Sequence, residues 1–299
     1  MKKYVLIAAG FAALSHVATA QNSPQGAKRA DECASCAEWN VAQAPFRIWG
    51  NTYFVGTHGL SAILITSPSG HILIDGGIPE SAPLILANIR TLGFRVKDVK
   101  QILNSHDHFD HSGGIAEIQK ATGASVSASA LSAPVLRAGE SGKDDPQYGV
   151  LLSFPPVSNV SVISDDEAVH VGALAVTAHF TPGHTPGGTT WSWQSCQSGR
   201  CLFIVYADSQ TPVAADGFLF TNNTSYPGVI HDFEHSFAVL DALRCDILVT
   251  PHPDASSLWQ RVAKRNAGQA RALIDPKACK AFATAARERL AARIASEKR

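Results

Sequence analysis

Ten consecutive residues, Ser105-His106-Asp107-His108-Phe109-Asp110-His111-Ser112-Gly113-Gly114, constrain the fold more than any other part of the chain. They follow a short apolar run, Val99–Leu103, predicted as a strand, and lead into a helix predicted over about 113–121. Loops at strand ends are where α/β folds place their chemistry. In an extended stretch, side chains at i and i+2 face the same way, so His106 and His108 can meet one metal ion. The chain then turns, and Asp110 and His111 can face a neighbouring ion. Two ions roughly 3.5–4 Å apart can activate one water and clamp the reacting oxygens. Four candidate ligands in six positions are hard to explain as core packing.

Two further histidines stand in similar settings. His184 lies in Thr181-Pro182-Gly183-His184-Thr185-Pro186-Gly187-Gly188, after a strand-like run at 174–181. His252 lies in Thr250-Pro251-His252-Pro253, after Asp246–Val249, which is expected to be a buried strand. Alone, each is an ordinary loop histidine stiffened by prolines. With the first cluster they complete three ligands per ion: His106, His108 and His184 for one, and Asp110, His111 and His252 for the other. Nitrogen and oxygen ligation of this kind suits zinc and leaves a position for hydroxide.

Composition narrows the class. With 45% hydrophobic and 17% charged residues, the 299-residue chain is globular rather than disordered. A net charge of zero argues against coating nucleic acid or an anionic membrane. Residues 1–20 read as a secretory signal peptide: Lys2 and Lys3, an apolar stretch from Tyr4 to Leu14, and an Ala18-Thr19-Ala20 cleavage site. The mature chain, 21–299, then carries 23 basic against 25 acidic residues, a net −2. It offers no later run of eighteen apolar residues, so a soluble protein is expected. Export permits disulfides. Cys196 and Cys201 flank a polar turn, and Cys245 and Cys279 stand 34 apart. Cys33 and Cys36 form a lone C-x-x-C that reads as a local disulfide rather than a zinc or redox site. Six cysteines allow fifteen connectivities, and spacing does not choose among them.

Along the chain the order is strands, helix, strand, helix, strands, then helix, strand, helix. It predicts two β-rich halves with helices outside in one domain, with 137–159 as the most loop-like segment. Helices are expected over 81–92 and 231–243, and a last one capped by Asp275 with Pro276 at its first position.

The H-x-H-x-D-H run resembles the signature of the metallo-β-lactamase superfamily. Thr181–Gly188, Tyr206-Ala207-Asp208-Ser209 and Thr250–Pro253 narrow the resemblance to the class B enzymes of subgroup three, from about Trp39 to Leu290. The resemblance implies an α/β fold, an αββα sandwich in a single domain, and the ligand sets given above with two zinc ions per chain. It implies a periplasmic β-lactamase, active in antibiotic resistance, in which metal-bound hydroxide opens the lactam amide. Its partner would be a small-molecule β-lactam, with no nucleic acid or membrane, and the chain is expected to be a monomer. Asp110 would orient the hydroxide, Ser209 and Thr211 would bind the substrate carboxylate, and Gln147 would belong to the loop over the site. Cys245 and Cys279 match a disulfide common in the subgroup. Some relatives carry a cysteine where this chain has His58, paired with one near Cys33; its loss here leaves a Cys33–Cys36 bridge or free thiols.

Asp208 is the ambiguous position. Glyoxalase II-like hydrolases and lactonases place a metal-bridging Asp near it, which keeps a lactonase or thioester hydrolase as the alternative function; the other reading is a structural acid beneath the site. A non-catalytic zinc-binding protein is a rival from another class. His231-Asp232-Phe233-Glu234-His235 matches H-x-x-E-H but lacks an apparent partner downstream, so it reads as a solvated helix face. His58 could approach the cleft, and Asp75 is expected to orient the metal loops by hydrogen bonding.

Overall fold

The first four strands are short apolar runs separated by turns, β1 (Phe46–Trp49), β2 (Thr52–Phe54), β3 (Ile63–Ile65) and β4 (His71–Ile74), and they pair antiparallel in sequence order. The next three, β5 (Val99–Leu103), β6 (Ser125–Ser129) and β7 (Val160–Ile163), add parallel strands to β4. Parallel strands need crossovers. These are supplied by α2 (Ala82–Thr91), by α3 (Phe109–Ser112) with α4 (Ile115–Thr122), and by α5 (Ser132–Ala138). The computed structural model describes Met1 and residues 33–298, so the leader expected over 1–20 lies outside the described residues. Within the described part, α1 (Cys36–Trp39) precedes the first sheet.

A second sheet follows in the order β12-β11-β10-β9-β8. Its strands are β8 (Ala168–Val171), β9 (Leu174–Phe180), β10 (Thr189–Gln197), β11 (Arg200–Tyr206) and β12 (Ile247–Val249). Strands β8 to β11 are an antiparallel meander, and β12 joins β11 in parallel after α6 (Val229–Ala242). The chain ends with α7 (Leu258–Asn266) and α8 (Ala278–Glu297).

Period-2 alternation assigns the faces. Ile63, Ile65, Ile72 and Ile74 of the first sheet meet Val176, Trp191, Ile204 and Tyr206 of the second. Leu64 and Leu73 point the other way, into a layer with Ile85, Ile89, Ile115 and Ile118 of α2 and α4. Val205 and Leu248 turn away from the sandwich interior onto Phe233 and Phe237 of α6 and Phe282 of α8. The layers are therefore helix, sheet, sheet, helix: the αββα sandwich, in a single domain.

Three differences from the sequence expectations have local causes. β8 is a half-exposed edge strand with a weak apolar pattern. α7 is polar and buries one side chain, Leu258. The last helix starts at Ala278 rather than Pro276, because the Asp275 carboxylate accepts the Lys277 amide at 2.9 Å and forms a turn just before it. The cysteines pair as Cys33–Cys36, Cys196–Cys201 and Cys245–Cys279.

Candidate metal centre

The site occupies one edge of the sandwich, where β5, β9, β11 and β12 all end. The two sheets are stitched there by hydrogen bonds from the Thr189 amide to Ser105 O (2.7 Å) and from Trp191 Nε1 to Asn104 O (3.0 Å). Asp75, just after β4, is fully buried with φ +62°. Its carboxylate accepts the Ser105 amide (2.8 Å), the Ser105 hydroxyl (2.6 Å) and the Tyr206 hydroxyl (2.8 Å). It thus fixes the residue before His106, the orienting role expected of it. Gly114 is required because a Cβ there would collide with Gly76 O, which closes the loop against α4.

The structure brings His106, His108 and His184 together, with ring centroids 4.9–5.0 Å apart and all three rings buried. The outward nitrogen of each is engaged by the protein. His106 Nδ1 meets Asp208 Oδ1 at 2.7 Å, His108 Nε2 meets Asp145 Oδ2 at 2.9 Å, and His184 Nδ1 meets Thr211 O at 2.8 Å. This leaves His106 Nε2, His108 Nδ1 and His184 Nε2 as the inward atoms, and His106 Nε2 is buried with no hydrogen-bond partner. Beside them, Asp110 Oδ2 lies 3.1 Å from His111 Nε2 and 3.2 Å from His252 Nε2, and those two nitrogens are 3.3 Å apart. The donor atoms gather in two overlapping groups, His106–His108–His184 and His106–Asp110–His111, with His252 Nε2 against the second and the orphaned His106 nitrogen shared between them, an arrangement that fits bound metal.

The electrostatics agree. Burial, with the neighbouring rings, holds His106 well below its ordinary value and His184 down to about 3, so both rings are neutral and offer lone pairs. Burial pushes the Asp110 carboxyl up, but His111 and His252 outweigh it and hold the group well below the usual carboxylate range. Behind the rings, burial pushes Asp208 well up, with Asp75 and Asp107 adding to it, and raises Asp107 to about 6. Buried acids crowded in this way are relieved by nearby cations.

The cleft above these groups encloses about 450 Å³ and is lined by Ser209, Thr211 and Gln147 as well as by His108, Asp110, His184 and His252. Asp208 lies behind His106, on the ring nitrogen that points away from the inward donors. His231 and His235 are exposed on α6, and His58 stacks on Trp259 at 4.6 Å rather than lining the cleft. Sequence reasoning missed Trp39, whose ring is 5.3 Å from that of His252 and forms one wall. It also missed Asp145; one of two adjacent acids, Asp144 and Asp145, in a Gly/Asp/Pro-rich loop carries no signal of its own.

A family profile for the metallo-β-lactamase superfamily matches residues 55–202. The Rm3 metallo-β-lactamase superposes with a TM-score of 0.88 at 53% identity, covering 89% of this chain and 99% of that one. MEM-A1, a subclass B3 metallo-β-lactamase from a soil metagenome library, gives 0.85 at 50% identity, covering 87% and 98%. A hydroxyacylglutathione hydrolase of Anaeromyxobacter dehalogenans is 32% identical over 139 residues, which are 46% of this chain and only 42% of that protein.

Proposed function

The chain belongs to subclass B3 of the metallo-β-lactamase superfamily, and we propose that it is a zinc-dependent β-lactamase that opens the amide of penicillins, cephalosporins and carbapenems. One observation carries the reading: three histidines whose outward nitrogens are held by Asp208, Asp145 and Thr211, beside the mutually touching Asp110, His111 and His252. His106, His108 and His184 would hold one zinc ion, and Asp110, His111 and His252 a second. Zinc held there supplies Lewis acidity, bringing the pKa of water toward about 7 and polarising a carbonyl. The remaining work belongs to the chain. Asp110, anionic at neutral pH, accepts a hydrogen bond from the attacking water and orients it as the catalytic carboxylate. Ser209 and Thr211 donate hydroxyl hydrogen bonds to the substrate carboxylate, and Gln147 reaches the substrate from the loop over the cleft. Trp39, Phe109 and Leu152 line the cleft with apolar surface that excludes bulk water.

A lactonase or thioester hydrolase of the same fold is the alternative that the curated relatives favour. The position of Asp208 weighs against it, because the carboxylate backs His106 instead of standing between the two donor groups. Three disulfides support export, with 1–20 as the leader, 21–299 as a mature monomeric domain, and the periplasm as its place of action. The test is turnover of a carbapenem, a lactone and a glutathione thioester by one preparation, with and without chelator. Carbapenem hydrolysis that chelation abolishes and zinc restores is expected; turnover of the lactone or thioester alone would overturn the reading.

A further inference from the structure

The segment between Gly139 and Phe154 is an irregular loop closed at its neck by a hydrogen bond from the Phe154 amide to Gly139 O (2.8 Å). Its outer residues, Tyr148 and Val150, are about half exposed, yet Gln147, Val150 and Leu152 line the cleft. Its inner end carries one buried carboxylate, Asp145, whose side chain is 3% exposed. The two oxygens of that carboxylate have different partners. Oδ2 accepts His108 Nε2 at 2.9 Å, and Oδ1 accepts the Gln147 amide at 2.6 Å. The Tyr148 amide in turn donates to Asp145 O at 3.0 Å. The carboxylate therefore joins a proposed metal ligand to the backbone turn that shapes the cleft wall.

We propose that Asp145 is a positioning residue that couples the order of the 140–150 loop to metal held by His108, so that the cleft wall and the metal centre form together. The proposal rests on the reading of His108 as a ligand. The physical reason is reciprocity. The bond to Asp145 Oδ2 directs the proton of His108 to Nε2 and leaves Nδ1 for the metal. A metal on Nδ1 makes the Nε2–H a stronger donor, which holds Asp145 and with it the Gln147 turn. Whatever stabilises one arrangement stabilises the other by the same factor. Replacing Asp145 by Asn keeps the shape but turns one of the two oxygens into an NH2 group, and because His108 and the Gln147 amide stand on different oxygens, one of the two donors then faces another donor.

The experiment uses the full chain as wild type, Asp145→Asn, His108→Ala and, as a control in the same loop, the exposed Asp144→Asn. Zinc affinity is measured by competition with a chromophoric chelator. Hydrogen exchange at the Gln147, Tyr148 and Val150 amides is followed in zinc-loaded and chelator-stripped protein. Asp145→Asn should bind zinc roughly 10–100-fold more weakly, and its loop amides should exchange as fast with zinc as those of stripped wild type. Asp144→Asn should match wild type in both. Unchanged protection at Ile102 and Leu103 in β5 should report an intact fold. The wild-type comparison needs no variant at all: loop exchange that is the same with and without zinc overturns the proposal. So does zinc affinity in Asp145→Asn within twofold of wild type while His108→Ala is impaired. If His108→Ala binds zinc as tightly as wild type, the ligand assignment itself fails, and the proposal falls with it.

Discussion

Removing the Cys245–Cys279 bridge should cost more stability than removing Cys196–Cys201, by an amount that loop lengths set. Cys245 precedes β12 and Cys279 lies in the first turn of α8, and both are buried among Val205, Phe237 and Phe282. The bridge closes a separation of 34 residues, against 5 for Cys196–Cys201 in the β10–β11 hairpin. Loop-closure entropy in the unfolded chain then gives about 4 kcal/mol for the long loop and about 2 kcal/mol for the short one at 25 °C. The hairpin cysteines are also directly paired across the strands, so their ends stay close without the bond. At about 2 °C per kcal/mol for a domain of this size, Cys245→Ala with Cys279→Ala should lower Tm by roughly 8 °C, and Cys196→Ala with Cys201→Ala by roughly 4 °C. Urea and thermal unfolding should be measured without reductant and with chelator, since bound metal adds its own stabilisation. A hairpin pair that costs as much as the long-loop pair would refute the chain-entropy reasoning.

His108→Ala and Asp110→Ala should each abolish β-lactam hydrolysis while leaving the circular dichroism spectrum intact. Asp208→Ala removes the acceptor behind His106 and should weaken zinc binding roughly 10–100-fold in a chelator competition. Glu297→Gln should destabilise by about 1–2 kcal/mol at pH 7, because the carboxylate accepts the Phe220 and Thr221 amides at 3.0 Å and pairs with Arg293 at 2.8 Å. Burial pushes Glu297 up, but Arg293 and the two amides outweigh it and hold it below its ordinary value. Its contribution is therefore full above the unfolded-state pKa and lost as pH falls through the folded one. The difference between wild type and variant, measured by urea unfolding of stripped protein, should shrink below about pH 4.5.

Local patterns made much of this protein legible. The donors from His106 to His111 share one loop, so period and turn alone could group them, and the runs at 99–103, 174–181 and 246–249 that lead into the site loops are β5, β9 and β12. What stayed hidden depends on contacts far apart in sequence. The bond from His106 to Asp208 spans 102 positions, and that from His108 to Asp145 spans 37. No spacing rule predicts which acid will back which ring. Trp39 sits in a segment that reads as polar, and only the packing of α1 against the sandwich carries it to His252. α7 is too polar to stand out as a buried-face helix, and β8 pairs on one side only, so neither has a strong sequence pattern.

The most direct measurement is the initial rate of carbapenem hydrolysis as zinc is titrated into chelator-stripped protein, with metal content read in parallel. The expected result is no turnover in stripped protein, a rate that rises with added zinc, and saturation as two ions bind per chain. Full hydrolysis in stripped protein, or none with two ions bound, would contradict the account.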